Sequence, residues 1–525
     1  MGMRSVILSG FMGVGKSTLG PLVAKRLHLP FVDTDAELER ATGARVRDLL
    51  VREGEAAFRD REAALVMALL EDDAPKVFGF GGGTVTTDRV RRLAIDRALV
   101  VTLTASPETI LGRVRDLAAR PNLNVSDPLS HARELLAHRT PAYSECHLSI
   151  ATDRVGREAA VEAIAQLVER DPLAVALGTR SYCVDVCSDQ PSRLRDAVAA
   201  LEPSALVLVM DSNVRRARGS VIEGALSPLG LETVRVTLAP GETHKNLGGV
   251  STIWDAALGA GVDRDALIVA AGGGVVGDLA GFAASCLLRG VRFVQVPTST
   301  LAMVDASVGG KTGCDHAVGK NLIGVFHQPS AVVADLAHLQ TLPDRERRAG
   351  LAEVVKVAIA TDVGLLCDLE RTAVDVARGD AAALAPIVRA AIRAKARIVG
   401  QDEREAGTRA LLNLGHTAGH AIEAHSGYAR WLHGEAVGLG VLAEMRATTS
   451  LGWTPAGLVE RVRSLLQVLG LPTEVDRAEL QAAWPYVLAD KKRTRGSVRL
   501  PVVRGDGHAS VVQVGLEDLR GAMLR

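Results

Sequence analysis

Read for hydrophobic and polar positions alone, the chain alternates two patterns. Short uninterrupted apolar runs, "RSVILSG", "ALVVTLT", "ALVLVMD", "DALIVAAGGG" and "VRFVQVPTS", are separated by longer charged segments with helical spacing. A strand that is apolar throughout needs cover on both faces, so these runs predict parallel sheets packed between helices, an α/β protein. "VERDPLAVALG" follows the last helical segment of the first series and precedes a fresh strand, which puts a boundary there. From about residue 345 the strands fade, and Ala, Leu, Arg and Glu at helical spacing dominate to roughly 470. The expected organisation is an α/β domain over 1–170, an α/β lobe over 175–335 and an all-helical lobe over 336–525.

Composition narrows the function classes. A chain of 525 residues is long for one core, which agrees with several domains. Lys plus Arg and Asp plus Glu are equal at 61 each, so no global field attracts nucleic acid or an anionic membrane, and phosphate chemistry must rest on local basic groups. The six cysteines are scattered without a CxxC pair, which argues for a reducing compartment and against a thiolate metal site. "SVILSGFMGVGKS" has lysine and glycines where a signal peptide keeps its apolar core, and Val6 stands where myristoylation after Gly2 needs Ser or Thr. No apolar run reaches membrane-spanning length. The expectation is a cytoplasmic protein with no nucleic-acid or membrane partner.

"GFMGVGKST", Gly10 to Thr18, lies between a strand-like and a helix-like segment. That is GxxxxGKS in its required context, where backbone N–H groups and a helix N-terminus cradle phosphates. Gly13, Gly15, Lys16, Ser17 and Thr18 are therefore ATP-binding candidates, with Lys16 reaching the β and γ phosphates and Ser17 on magnesium. "FVDTD" reads as a strand carrying Asp33 and Asp35 on one side of an extended backbone, one for the magnesium shell and one for a substrate hydroxyl. "FRDRE", "GGGTV", "RPNL" and "HRTPAYSE" follow, contributing Arg59, Gly81 to Gly83, Arg120 and Arg139.

This order and spacing resemble shikimate kinase. The resemblance implies that Asp35 binds substrate hydroxyls, that Arg59 and Arg139 clamp the substrate carboxylate, and that Gly81, Gly82 and Gly83 present backbone N–H groups. It places Arg120 in a closing lid, catalytic and ATP-binding, and leaves Asp33 to the magnesium shell. Lys16, Asp35 and Arg120 carry the catalysis. A planar guanidinium suits a carboxylate, and a lid arginine neutralises charge on the transferring phosphoryl group. Asn122 departs from the usual RPLL lid pattern. A nucleoside monophosphate kinase is the second reading, and it needs a base pocket that the sequence does not identify.

In the second half, "VAAGGGVVGDLAGFAAS" reads as strand, glycine loop and helix, a backbone approach to a phosphate-like group. Arg289, Asp305, Lys311, Lys320 and Asn321 then fall among small and apolar residues, where charges are costly without a partner such as an anionic ligand. "AEVVK" puts Glu353 and Lys356 on one helical face, a spacing that taken alone more often marks a plain ion pair. "NLGHTAGH" sets His416 and His420 one turn apart, and "HGEAV" adds His433. Whether both histidines of the pair are ligands is open on spacing alone. Glu353, His416 and His433 form the one-carboxylate, two-imidazole set that leaves zinc an open position.

The blocks GGGVVGDLAGF, LAMVDASVGGKTG, GKNLIG, AEVVK, NLGHTAGHAIE and HGEAV resemble 3-dehydroquinate synthase from about 178 to the end. The resemblance implies a Rossmann-like NAD-binding lobe before a helical metal lobe, and a homodimer. Of the histidine pair only His416 is then a zinc ligand, with Glu353 and His433, cobalt being an acceptable substitute. The NAD site would comprise Asp211, Asn213, Glu242, Lys245, Gly273, Gly274, Asp278, Thr298, Ser299, Asp305, Lys320, Thr341, Leu342 and Glu346. Substrate contacts would be Asp305, Lys311, Asn321, Lys356, Lys395, Arg409, Asn413 and His420, with Arg289 reaching across the dimer and Lys491 or Lys492 from "DKKR". Lys311, Lys356, Asn413 and His420 are the catalytic candidates among them.

The implied activity is cyclisation of 3-deoxy-D-arabino-heptulosonate 7-phosphate to 3-dehydroquinate, in which NAD takes hydride from C5 and returns it and phosphate leaves by elimination. Three alternatives stay open. The second half is a related cyclase on a carboxylate-free heptulose phosphate, it is a polyol dehydrogenase, or the kinase half is a non-catalytic regulatory module.

Overall fold

The computed structural model describes residues 2–114, 125–488, 493–494 and 496–524. Arg120 and the lid position Asn122, together with Lys491 and Lys492, lie outside the described residues. The chain divides into two compact units, Met1–Cys183 and Val184–Arg525.

In the first unit the strands run in the order Phe31–Asp33, Val77–Gly79, Ser5–Ser9, Ala98–Thr104, Leu148–Ala151, and all pairings are parallel. The apolar runs are continuous because both faces are covered: Val6, Ile7 and Leu8 have no exposed surface and Ala98 to Leu103 are all buried. Each such side chain contributes about 1.5–3 kcal/mol of burial. The central strand Ser5–Ser9 delivers the chain to the glycine loop, and the loop opens helix Lys16–Leu27, so the site forms at the carboxyl edge of the sheet.

In the second unit the parallel order is Tyr182–Cys187, Ala331–Asp335, Arg292–Pro297, Leu267–Gly272, Leu206–Asp211, Thr233–Leu238. An antiparallel hairpin, Lys311–His316 with Gly319–Phe326, stands apart from this sheet. Helices follow from Asp344 to Leu488. In helix Leu351–Thr361 every residue from Leu351 to Ala360 is buried, and its two charged residues, Glu353 and Lys356, pair with each other. The expected all-helical lobe has one exception: Arg493–Thr494, Ser497–Gly505 and His508–Gly515 form a small antiparallel sheet. "SVRLPVVRG" and "HASVVQVG" are β-branched with partial alternation and meet at a turn containing Gly507 at φ 64°, a strand signature that the helical periodicity upstream masked.

Helices His416–His425 and His433–Ser450 pack unusually closely. A Cβ at Gly440 would fall 2.0 Å from the Gly415 carbonyl oxygen, and one at Gly419 would fall 2.8 Å from that of Ala436. These glycines let the two backbones approach until the histidines at their N-termini face each other.

Candidate active sites

In the first unit Gly10, Gly13 and Gly15 all have positive φ, so the loop follows a path that only glycine takes without strain. Lys16 Nζ donates to the carbonyls of Gly10 at 2.7 Å and Phe11 at 2.9 Å, which folds the lysine back over the loop. The expectation that Asp33 and Asp35 share one side of an extended backbone is corrected. The strand ends at Asp33, whose carboxylate caps helix Thr34–Thr42 by accepting from the N–H groups of Asp35 and Ala36, and Asp35 sits in the first turn of that helix.

The glycine run is where the substrate-site groups converge. A Cβ at Gly81 would lie 2.7 Å from Asp35 Oδ1, and one at Gly83 would overlap the Arg59 guanidinium at 2.2 Å. Arg139 Nη1 donates to the Gly82 carbonyl at 3.2 Å, and the guanidinium stacks over Phe11. Asp35, Arg59 and Arg139 therefore meet around Gly81–Gly83. Two contributors escaped the sequence reading. Glu62, buried, accepts from Arg59 at 2.7 Å and from Thr84 at 2.7 Å, and Tyr143 donates to the Gly82 carbonyl. Their only sequence signal was a helical i, i+3 spacing from Arg59 to Glu62.

In the second unit one cavity of about 840 Å³ lies between the sheet and the helices, and every residue that the resemblance assigns to NAD lines it. Gly273 caps helix Gly274–Cys286, so the glycine turn and that helix's N-terminus form part of the wall. Lys245 is buried, pairs with Asp278 Oδ2 at 2.6 Å and donates to Asn321 Oδ1 at 2.6 Å. Burial opposes its charge, but Asp278 and Glu242 outweigh it and raise its pKa.

His420, His433, Asp305 and Asn321 line the same cavity. Glu353 is 1 % exposed, and its Oε1 has no hydrogen-bond partner among the described residues. That oxygen lies 3.7 Å from Nε2 of His416 and 3.8 Å from Nε2 of His433, while Oε2 pairs with Lys356. His416 Nδ1 lies 3.3 Å from the Leu414 carbonyl and His433 Nδ1 3.2 Å from Glu423 Oε2, contacts that turn both Nε2 atoms inward. His420 is near enough to compete: nitrogens of His416, His420 and His433 lie within 4.8 Å of one another. The residues fit a divalent cation, because a buried carboxylate oxygen without a hydrogen bond among the described residues, facing two oriented imidazoles, is the donor set that zinc takes.

The remaining candidates fall into pairs. Lys395 contacts the backbone and carboxylate of Asp305; burial pushes its ammonium down to about 8 against the pull of that carboxylate. Lys311 and Asn413 both contact Glu405, a residue held at φ 62°. Arg409 is buried, donates to the Gly309 and Glu403 carbonyls and stacks over Phe326. Arg289 is exposed and does not line the cavity. Sequence reasoning missed Glu405 and also Glu444, a fully buried carboxylate that caps helix His416–His425 from its neighbour by accepting from Gly415 N at 2.8 Å and Ala418 N at 3.0 Å.

The geometry agrees with what this chain is similar to. Family profiles match residues 12–169 as shikimate kinase, 235–349 as 3-dehydroquinate synthase N-terminal and 350–493 as 3-dehydroquinate synthase C-terminal. The chain is 41% identical to the 3-dehydroquinate synthase of Acinetobacter baylyi over 354 residues, 67% of this chain and 97% of that one. It is 42% identical to that of Bordetella pertussis over 357 residues, 68% and 99%. Among solved structures it resembles ValA, a 2-epi-5-epi-valiolone synthase from Streptomyces hygroscopicus subsp. jinggangensis with NAD+ and Zn2+ bound, at 29% identity and a TM-score of 0.59, covering 65% of this chain and 96% of that one. The chain therefore belongs to the 3-dehydroquinate synthase family and carries a shikimate kinase domain ahead of the synthase, a bifunctional enzyme with phosphotransferase and lyase activities.

Proposed function

We propose that residues 1–170 transfer a phosphoryl group from magnesium–ATP to shikimate, and that 175–335 and 336–525 together bind NAD, zinc and 3-deoxy-D-arabino-heptulosonate 7-phosphate. The single observation that carries the second assignment is Glu353 Oε1, buried without a hydrogen bond among the described residues and facing two oriented imidazoles, in a site whose His433 shares a wall with the glycine-turn cavity. A related structure, ValA, holds NAD+ and Zn2+ together, which supports the same pairing here.

In the kinase site Lys16 leaves the carbonyls of Gly10 and Phe11 for the phosphates, with Gly13, Gly15 and Thr18 supplying the loop and Ser17 and Asp33 the magnesium shell. Asp35 accepts from the attacking hydroxyl, and Arg59 and Arg139 hold the carboxylate. The gathering of Lys16, Asp35, Arg59 and Arg139 in one unit favours an active kinase over a regulatory module.

In the synthase site NAD, when bound, would accept a hydride from the substrate and return it, and a bound zinc would polarise substrate hydroxyls. The chain's own groups bind and orient. Glu353, His416 and His433 hold the metal. Asp305 sits between Lys395 and the cavity and keeps its carboxyl ionised against the cost of burial. Lys311, Asn321, Lys356, Asn413 and His420 receive the phosphate and hydroxyl groups, and Lys395 with Arg409 receives the carboxylate. A homodimer is supported by the apolar exposed face of the hairpin, with Val318 82% exposed and Leu322, Ile323 and Val325 also open, and by Arg289, which faces solvent away from its own cavity.

The alternative of a carboxylate-free substrate is disfavoured by the higher identity to 3-dehydroquinate synthases than to the valiolone synthase. Product analysis by mass spectrometry with both heptulose phosphates tests it. Formation of 3-dehydroquinate from the acid supports the reading; turnover of the carboxylate-free sugar alone overturns it.

A further inference from the structure

The lysine and arginine side chains that line the synthase cavity are not equally neutralised. Lys245 pairs with Asp278, and Lys320 pairs with Glu242 and Glu423. Arg218 lines the same cavity and pairs with no carboxylate among the described residues. Its Nε donates to Nδ1 of the buried His338 at 3.1 Å. Burial pushes that imidazole down to about 4 against the pull of Asp335, so it stays neutral and serves as an acceptor. A neutral partner fixes the direction of the guanidinium and leaves its charge and its remaining N–H groups for an anion.

The place of Arg218 in the fold narrows the choice of anion. Strand Leu206–Asp211 pairs with Leu267–Gly272, the strand that delivers the chain to the glycine turn. A dinucleotide laid across such a junction puts its pyrophosphate at the glycine turn and its adenosine ribose at the end of the neighbouring strand, where an acid takes the 2′-hydroxyl and an arginine takes a 2′-phosphate. Both residue types are present here. Asp211 ends the strand, but its Oδ1 accepts from the N–H groups of Asn213 at 2.8 Å and Val214 at 3.0 Å, which turns that oxygen toward the N-terminus of helix Ser212–Leu226. Arg218 lies about two turns into the same helix, on the face where Val214 also lines the cavity, and helical side chains lean toward the N-terminus. We propose that the synthase binds NADP as well as NAD, with Arg218 taking the ribose 2′-phosphate and His338 positioning Arg218. The inference rests on the NAD assignment above.

Calorimetric titration of the full chain with NAD and, separately, with NADP tests this, because the two ligands differ only in the phosphate. Their Kd values are expected to lie within about tenfold of each other, and Arg218→Leu to raise the NADP-to-NAD ratio by about tenfold or more, the loss of one charge-assisted contact. Arg218→Gln, which keeps a polar side chain without the charge, does the same and covers the case in which the first variant does not fold. His338→Phe leaves Arg218 in place but frees its Nε, and is expected to raise the ratio by about threefold. A ratio above about a hundredfold in the wild type, or a ratio that neither folded Arg218 variant changes, overturns the proposal and leaves the NAD assignment standing. An equal loss of both ligands in Arg218→Leu puts the guanidinium on a group that they share and also overturns it. A ratio unchanged in His338→Phe overturns the positioning role. Failure of NAD to bind at all overturns the proposal and the NAD assignment together.

Discussion

Glu353 Oε1 faces His416 Nε2 across 3.7 Å from a fully buried position and takes no hydrogen bond among the described residues. An uncompensated buried carboxylate oxygen is costly, and a dication between the two atoms removes that cost. Its position in helix Leu351–Thr361, beside an ion-paired Lys356, makes the site a feature of the core and not of a mobile loop.

Metal content therefore separates the histidines of "NLGHTAGH". His416→Ala and Glu353→Gln are expected to lower zinc affinity by about a hundredfold or more, while His420→Ala retains stoichiometric zinc and loses synthase turnover. Elemental analysis after dialysis against a weak chelator reads this out. Equal loss in His416→Ala and His420→Ala would mean that the three-imidazole set, also compatible with the 4.8 Å nitrogen spacing, holds the ion.

The kinase site makes a separate prediction, because its groups belong to a unit with its own core. Lys16→Met is expected to cut shikimate-dependent ADP formation by about a thousandfold. Synthase turnover in the same preparation is expected to stay within about twofold, since Lys16 and the synthase site belong to different compact units. A parallel fall in phosphate release would restore the regulatory-module reading.

Lys395 predicts a pH dependence. Its pKa is about 8, below the ordinary 10.5, because burial disfavours the ammonium more than Asp305 favours it. The side chain is charged below about 8 and loses its charge as pH rises through that value. Binding of the acidic substrate is therefore strongest below about pH 8, and KM climbs by up to tenfold per unit above it. Lys395→Arg, which stays charged, flattens that alkaline limb. A KM independent of pH from 7 to 9.5 in the wild type would remove Lys395 from carboxylate binding.

Packing at the metal helices is tested by Gly440→Ala. The added Cβ meets the Gly415 carbonyl at 2.0 Å and the Gly419 nitrogen at 2.6 Å, all backbone atoms, so the helices must separate. A destabilisation of about 1–3 kcal/mol is expected, with weaker zinc binding as His416 and His433 move apart. Thermal unfolding with and without zinc measures both effects, and an unchanged Tm would contradict the close-packing argument.

What the sequence disclosed and what it hid follow the range of the interactions. The phosphate loop was legible because strand, glycines, lysine and helix are contiguous, and the apolar runs were legible because a strand covered on both faces has no polar positions. Asp33 and Asp35 were misread in geometry because a strand end and an N-cap look alike until the helix start is known. Glu444 and Glu423 act across 29 and 10 residues, and Glu405 joins Lys311, 94 residues away, so no local spacing marked them. The late sheet around Ser497–Gly515 was lost under the helical pattern that precedes it.

The central claim is a metal-dependent, redox-neutral cyclase in the second unit. Phosphate release by the full chain from 3-deoxy-D-arabino-heptulosonate 7-phosphate with NAD, before and after chelation, tests it most directly. Release is expected to stop on chelation, to return with zinc and to produce no net NADH. Release that survives complete removal of metal, or NADH accumulating in step with turnover, would contradict it.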